Sequence, residues 1–508
     1  MNLAAAGDNK LNVLIATSEA VPFAKTGGLA DVCGALPVEL AKLGHRPSVI
    51  MPAYRQIRDA GEPIEPTGVE FNIAIGSKTV HGSLLRSRLP GSKVPIYFVE
   101  QSHYYDRSEL YRVDGRDHKD NCERFVFFSR AVLETIRLLD LKIDVIHAND
   151  WQTGLIPAYL KIEYRGVPGY ENLGTLFTVH NMSYQGLFWH WDMLLTGLDW
   201  KYFNWHQMEF FGSLNLLKTG LVFADRLSTV SPRYAEEIQS APLGCGLEGV
   251  LQTRREVLSG IINGVDYDEW NPATDPHLAA NYSVKDAAKG KAACKAALQA
   301  ELGLAKQERT PLVAFIGRLV DQKGLDIITT VLRDWVQNPG LQWVVLGTGD
   351  AAYHDFFTNL AKRYPQSVAA RLEFDDGLAH RIEAGADIFL MPSRYEPCGL
   401  NQLYSLKYGT IPVVRATGGL ADTIVDASDE ALAAGTATGF VLRDSSGLAL
   451  AEALRRAIAA YERPEVWQDL VRTAMSQDWS WNESAKKYVD LYRKTIAQAA
   501  PSGRQRVR

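Results

Sequence analysis

Arg318 and Lys323 stand five positions apart in GRLVDQKGLD, just after the apolar run PLVAFIGR and just before the helical pattern GLDIITTVL. Solvated surface cations are the commoner use of such residues. At the end of a strand, however, a planar guanidinium fork and a compact ammonium match the oxygens of a diphosphate. Further on, SRYEPCGLNQLYSLKYG places Glu396 just ahead of a helix whose first turn, Gly399-Leu400-Asn401, can offer backbone amides to a phosphate. A carboxylate there suits sugar hydroxyls or a developing cation, with plain helix capping as the alternative. Cys398 reads as a small packing residue of this loop, because no histidine lies near it in sequence to activate a thiol.

The hexapeptide TGGLAD occurs twice, at 26–31 and at 417–422, preceded by Lys25 in the first copy and Ala416 in the second. Each copy sets a glycine pair at a helix start: Gly27 and Gly28, then Gly418 and Gly419 after Thr417. Amides and the positive helix end could there meet an anion, although a glycine-rich turn alone is a weak motif. The second half already owns Arg318 and Lys323, so only the first copy needs its own cation. HAND ends in Asp150, and TVHN ends in His180 and Asn181. DYD at 266–268 matches a short metal-binding pattern, but NGVDYDEWNP reads as an interdomain turn, so no metal site is expected. The aromatic run LFWHWDMLLTGLDWKYFNWHQMEFF (187–211) could stack sugars, yet core packing is the expectation for most of it.

What positions these residues is a succession of continuous apolar runs, each followed by a helical pattern. The first half gives NVLIAT (12–17), PSVIMP (47–52), VPIYFVE (94–100), DVIHAND (144–150), GTLFTVHN (174–181) and RLSTVSP (226–232). The second gives PLVAFIGR (311–318), LQWVVLG (341–347), RLEFD (371–375), DIFLMPS (387–393), IPVVRA (411–416) and TGFVL (438–442). Such strands predict parallel sheets covered on both faces. Two sets predict two doubly wound α/β domains, 1–264 and 265–479. A last helix covers 480–500, with Ala485, Tyr488, Val489 and Tyr492 on one face, and a basic tail 501–508 follows. The singled-out residues follow strand ends, where open α/β sheets bind ligands. Two sheets facing a central cleft would bring them together.

The 508 residues exceed one hydrophobic core, and 46% hydrophobic with 22% charged residues is ordinary globular composition. A net charge of −5 argues against a nucleic-acid or membrane-surface partner, while small anions remain possible. Five scattered cysteines without a CxxC predict reduced thiols. MNLAAAGDNK lacks the basic and apolar regions of a signal peptide, and no run spans a bilayer. A cytoplasmic protein is expected.

SEAVPFAKTGGLADV, HANDWQTGL, FTVHNMSYQG, GRLVDQKGLD, AHRIEAGADIFLMPSRYEPCGLNQLYSLKYG and ATGGLADT together resemble the bacterial glycogen synthase and plant starch synthase family over essentially the whole chain. The resemblance implies a GT-B fold, with two Rossmann-like domains and the terminal helix crossing back to the first. It implies retaining, metal-independent transfer of glucose from ADP-glucose to the non-reducing 4-hydroxyl of an α-1,4-glucan, with no cofactor. Lys25 and Gly28 would match the phosphate-facing loop, Asp150, His180 and Asn181 the sugar rim, and Glu396 the key carboxylate. Phe374 falls where an aromatic ring stacks on adenine, Tyr105 loosely where a tyrosine nears glucose, and Tyr404 where many GT-B enzymes have a second glutamate. Rivals are a UDP-glucose-dependent glucan synthase, a sucrose-type transferase and a non-catalytic glucan-binding protein.

Overall fold

A computed structural model describes residues 10–337 and 340–500. Residues 1–9 and the basic tail 501–508 lie outside the described residues. The chain divides into two units. One holds residues up to Val230, Ala235–Ile261 and the segment from Trp481; the other holds Ser231–Tyr234 and Ile262–Ser480. The change of unit therefore falls at Ile261/Ile262 rather than after residue 264, and Ser231–Tyr234 count with the second unit.

The first unit is built on nine strands: β1 Asn12–Ala16, β2 Arg46–Pro52, β3 Glu65–Ile75, β4 Lys78–Arg88, β5 Pro95–Glu100, β6 Val145–Asn149, β7 Gly174–Val179, β8 Arg226–Thr229 and β9 Leu258–Gly260. Their order is β9-β8-β7-β6-β1-β2-β5-β4-β3. The run from β9 to β5 is parallel, and its central strands are buried throughout, as their unbroken apolar composition requires. The edge is different. β3 and β4 form an antiparallel hairpin added to β5, which the sequence reading missed. The register that matters most lies at the centre, where chain order reverses between β1 and β6.

The second unit carries six parallel strands: β10 Leu312–Ile316, β11 Gln342–Leu346, β12 Val368–Arg371, β13 Ile388–Met391, β14 Ile411–Arg415 and β15 Phe440–Leu442. The order β12-β11-β10-β13-β14-β15 is that of a dinucleotide-binding sheet, with its switch between β10 and β13. β12 is VAAR, three residues before the expected RLEFD, its backbone paired in parallel with β11.

The last helix, Trp481–Ala499, belongs to the first unit. Ala485, Tyr488, Val489 and Tyr492 are buried, as their spacing predicts. The Tyr492 hydroxyl lies 2.9 Å from Nδ1 of buried His147 on β6, whose Nε2 meets the Thr178 hydroxyl of β7 at 2.7 Å. No helix among the described residues is long and apolar enough to cross a membrane.

Candidate active site

In the second unit both strands of the switch deliver chemistry. Lys323 ends a short turn of helix after β10, and Glu396 lies in the loop after β13. Their side chains meet: Lys323 Nζ is 2.6 Å from Glu396 Oε2, the carboxylate nearly buried and the ammonium reaching solvent at one side. Ser393 Oγ donates to the same oxygen at 3.0 Å. Sequence separated these residues by 73 positions; the fold makes them one unit of charge. Arg318 is exposed above them and donates to Gln322 Oε1 at 2.9 Å, so its guanidinium keeps most of its donors for another partner.

The loop of Glu396 is held from behind by the second TGGLAD, and here the structure corrects the sequence reading. Gly418 and Gly419 are buried beneath the loop rather than presented to a ligand. A Cβ on Gly418 would come within 2.0 Å of the Glu396 carbonyl oxygen, and one on Gly419 within 2.0 Å of that of Cys398. The Gly419 amide donates to the Glu396 and Pro397 carbonyls at 3.2 Å. Thr417 is buried with them. Asp422 of this copy accepts from Ser231 Oγ at 2.7 Å and from the Arg233 amide at 2.9 Å. These glycines are there for close backbone packing.

Around the loop, Cys398 is buried, its sulfur taking the Asn263 amide at 3.4 Å, and burial pushes its thiol up to about 12. A thiol so protonated is no nucleophile. Gly399 takes φ +72° and Leu400 immediately precedes the helix Asn401–Tyr408, where Asn401 Nδ2 donates to the Ile316 carbonyl at the end of β10. Tyr404 stacks on Trp270 at 3.8 Å, and Trp270 on His380, also at 3.8 Å. One face of Tyr404 is thereby occupied. Phe374, beyond β12, is 84% exposed with its ring open to a ligand. In DYD, the Asp268 amide donates to Asp266 Oδ1 at 2.9 Å, an Asx turn. One group of metal-competent side chains among the described residues, Glu269, Asp376 and His380, has ligand atoms within 4.8 Å of one another.

The first unit places its residues at its own switch. After β1 the chain turns through Glu19 to the first TGGLAD. Glu19 is buried and was missed in sequence. It accepts from the Thr26 amide at 2.5 Å, Thr26 Oγ1 at 2.6 Å, the Gly27 amide at 3.3 Å and the Tyr111 hydroxyl at 2.7 Å. The loop is so anchored by its own carboxylate. Gly27 and Gly28, unlike the second pair, face open space: a Cβ on either would touch nothing within 4 Å. Lys25 lies 2.7 Å from Asp31 of the same hexapeptide, half-exposed. An exposed pair is worth at most about 1 kcal/mol, so an anion can recruit Lys25 at little cost.

After β6, Asp150 adopts φ +57°, a left-handed conformation that costs energy in a residue with a side chain. Its Oδ1 accepts the His180 amide from the end of β7 at 2.8 Å. Burial, then nearby Glu19, pushes its carboxyl up to about 7, against the lowering effect of that amide. His180 is driven the other way, to about 3, by burial. Its Nε2 is 3.0 Å from Asn149 Oδ1, and the Asn149 amide nitrogen donates to the Ala16 and His147 carbonyls. That fixes Asn149 Oδ1 as an acceptor, so Nε2 carries the hydrogen and Nδ1 is left as an acceptor. Asn181 Oδ1 accepts the Ser183 amide at 3.0 Å. Tyr105, by contrast, is wholly buried and donates to the Arg124 carbonyl; it belongs to the core.

Residues 12–253 match the model described as "Starch synthase catalytic domain", and residues 302–472 that of "Glycosyl transferases group 1". A glycogen synthase of Rhodopirellula baltica is 48% identical over 96% of this chain and 98% of its own. The chain belongs to the glycogen and starch synthase family. A glycogen synthase of Syntrophotalea carbinolica is 46% identical over 96% of this chain and 99% of its own. Among solved structures, the catalytic domain of starch synthase IV from Arabidopsis thaliana, bound to ADP and acarbose, matches with a TM-score of 0.87 and 32% identity, covering 96% of this chain and 99% of that one. A sucrose-phosphate synthase of Thermosynechococcus elongatus, at 18% identity and a TM-score of 0.56, shares the fold alone. The chain is a GT-B glycosyltransferase of this family.

One further expectation for this synthase-family chain is overturned. Much of the aromatic run 187–211 is not core: Trp189 is 63% exposed, and Trp191, Trp200, Trp205 and Phe211 are exposed as well. Short ribbons, Leu187–Phe188, Glu209–Phe210 and Ser213–Asn215, hold the segment out from the main sheet.

Proposed function

We propose that this chain transfers glucose from ADP-glucose to the non-reducing 4-hydroxyl of an α-1,4-glucan, with retention at C1 and without a metal. The observation that carries the reading is the Lys323–Glu396 pair, set at the strand switch where a sheet of this order binds nucleotides. Breaking the glucose–phosphate bond leaves positive charge on C1 and negative charge on the diphosphate. Lys323 and Arg318 can stabilise the diphosphate, while Lys25 beside the open Gly27-Gly28 turn gives the first unit an anion-binding surface of its own. Glu396 faces the sugar side of that bond in this reading. His180, neutral and with Nδ1 accepting, suits a sugar hydroxyl, and the Phe374 ring suits adenine.

Glu396 Oε2 already carries hydrogen bonds from Lys323 and Ser393, which blunts it as a nucleophile. This favours front-face attack: the C1–phosphate bond breaks, the C1–O4 bond forms, and the O4 proton passes to the departing phosphate oxygen. ADP as leaving group is supported by the ADP-bound relative. Catalysis in the cytoplasm, on glycogen, is part of the proposal.

The test is transfer of radiolabelled glucose into glycogen from ADP-glucose and UDP-glucose in parallel, with and without EDTA. Label from ADP-glucose, unchanged by EDTA, is the expected result. Preference for UDP-glucose would make the chain a UDP-glucose synthase. Dependence on added Mg²⁺ or Mn²⁺ would refute the cation account of the leaving group. Glucan binding without any transfer would leave a binding protein only.

A further inference from the structure

The exposed aromatic run is a feature the proposed chemistry does not use. Trp189, Trp191, Trp200 and Phe203 form a continuous strip, with ring centroids 6.4, 5.4 and 5.1 Å apart in succession. Three of these rings are large and exposed, which is costly in water unless a partner covers them. Ion-forming and hydrogen-bonding groups line the same segment: His190 packs against both Trp189 and Trp191, while Asp199 and Lys201 flank Trp200. An aromatic face bordered by polar side chains fits a pyranose better than it fits a protein core. The C–H face of each sugar lies on a ring, and the equatorial hydroxyls reach the rim. The steps along the strip are of the same order as those between neighbouring sugars of a glucan.

The strip also joins the candidate site. Phe188 packs on Trp151 with centroids 5.7 Å apart, and Trp151 directly follows Asp150. Gly186, between His180 and the strip, is pressed against the Trp151 ring, so the segment cannot swing away from the site without unpacking that indole. We infer that Trp189, Trp191 and Trp200 form a docking platform for an α-glucan chain, reaching away from Asp150 and His180 and retaining polymer between transfers. The inference rests on the glucan reading of the site.

Affinity electrophoresis of the full chain in gels containing glycogen reads binding without catalysis. The wild-type chain should be retarded, and Trp189→Ala/Trp191→Ala should lose about tenfold in glycogen affinity. KM for glycogen should rise similarly, with kcat and KM for ADP-glucose within twofold of wild type and maltotriose use unchanged. The most exposed single change, Trp189→Ala, repeats the measurement should the double variant fold poorly, and Trp191→Tyr should restore most of the binding. Retardation equal to wild type in a folded variant would overturn the inference, as would a wild-type chain that glycogen does not retard. A dimer that dissociates on substitution with glycogen affinity intact would also overturn it, making the face a self-interface. Retardation lost on substitution in a chain that transfers no glucose would uphold the platform and sink the catalytic reading instead.

Discussion

At the scale of single residues, the deciding feature is that the two charges of the second unit neutralise each other before any ligand arrives. Glu396→Gln removes the carboxylate but frees the Lys323 ammonium. Transfer should fall by roughly 10²- to 10³-fold, a few kcal/mol of lost transition-state stabilisation. ADP affinity should hold or improve, because Lys323 no longer has to leave a partner. Weaker ADP binding in the calorimeter would mean the carboxylate itself holds the nucleotide. Lys25→Ala should spare stability: the Lys25–Asp31 pair is exposed, so folding barely depends on it. Its charge-assisted contact, about 1.5–3 kcal/mol, should appear as a 10- to 150-fold fall in kcat with little change in ADP binding. Abolished ADP binding would contradict that assignment. Asp150 supplies a pH test. Its carboxyl is raised to about 7 from an unfolded value of about 3.9, so the folded chain binds that proton more readily. The associated stability is complete below about pH 4 and lost as pH rises through 7. Asp150→Asn should therefore match wild type in acid and exceed it by up to about 4 kcal/mol at pH 8, read by urea denaturation. An equal gain at both pH values would mean that charge is not the cause.

At the scale of elements, one hexapeptide does two jobs. In the second copy the glycines let two backbones touch; in the first they leave a surface bare. Gly419→Ala should push the Glu396 loop out of place, costing about 1–3 kcal/mol and most activity. Gly27→Ala should leave stability within about 0.5 kcal/mol while lowering transfer, since its methyl intrudes only where a ligand would lie. Equal losses of stability in both would erase the distinction. This is the kind of difference sequence could not display, because identical letters hide unequal surroundings. The parallel strands were legible since burial on both faces forces unbroken apolar runs such as NVLIA and VIHAN. The hairpin of β3 and β4 was not, because its strands alternate buried and exposed positions and EPTGVEFNIAI has no such run. β12 was misplaced for want of branched residues in VAAR. Candidate site residues showed as polar types after strands, but Glu19, which holds the Lys25 loop, was not singled out. The aromatic run was misread because composition alone cannot say which side of a ribbon meets water.

At the scale of the whole chain, the path leaves the first unit at Ile261 and returns at Trp481. Tyr492→Ala should cost about 3–5 kcal/mol in urea denaturation, through an emptied site beneath His147 on β6 and β7. A loss under 1 kcal/mol would mean the helix is merely draped on the sheet. The return has a consequence in time as well as in energy. A ribosome delivers β1 and β6 long before the tyrosines that cover them, for Tyr492 follows its partner His147 by 345 positions. Apart from Ser231–Tyr234, the second unit is synthesised within that interval and can condense first. Until then the earlier sheet waits with an apolar flank exposed, so newborn chains should be more prone to aggregate than finished ones.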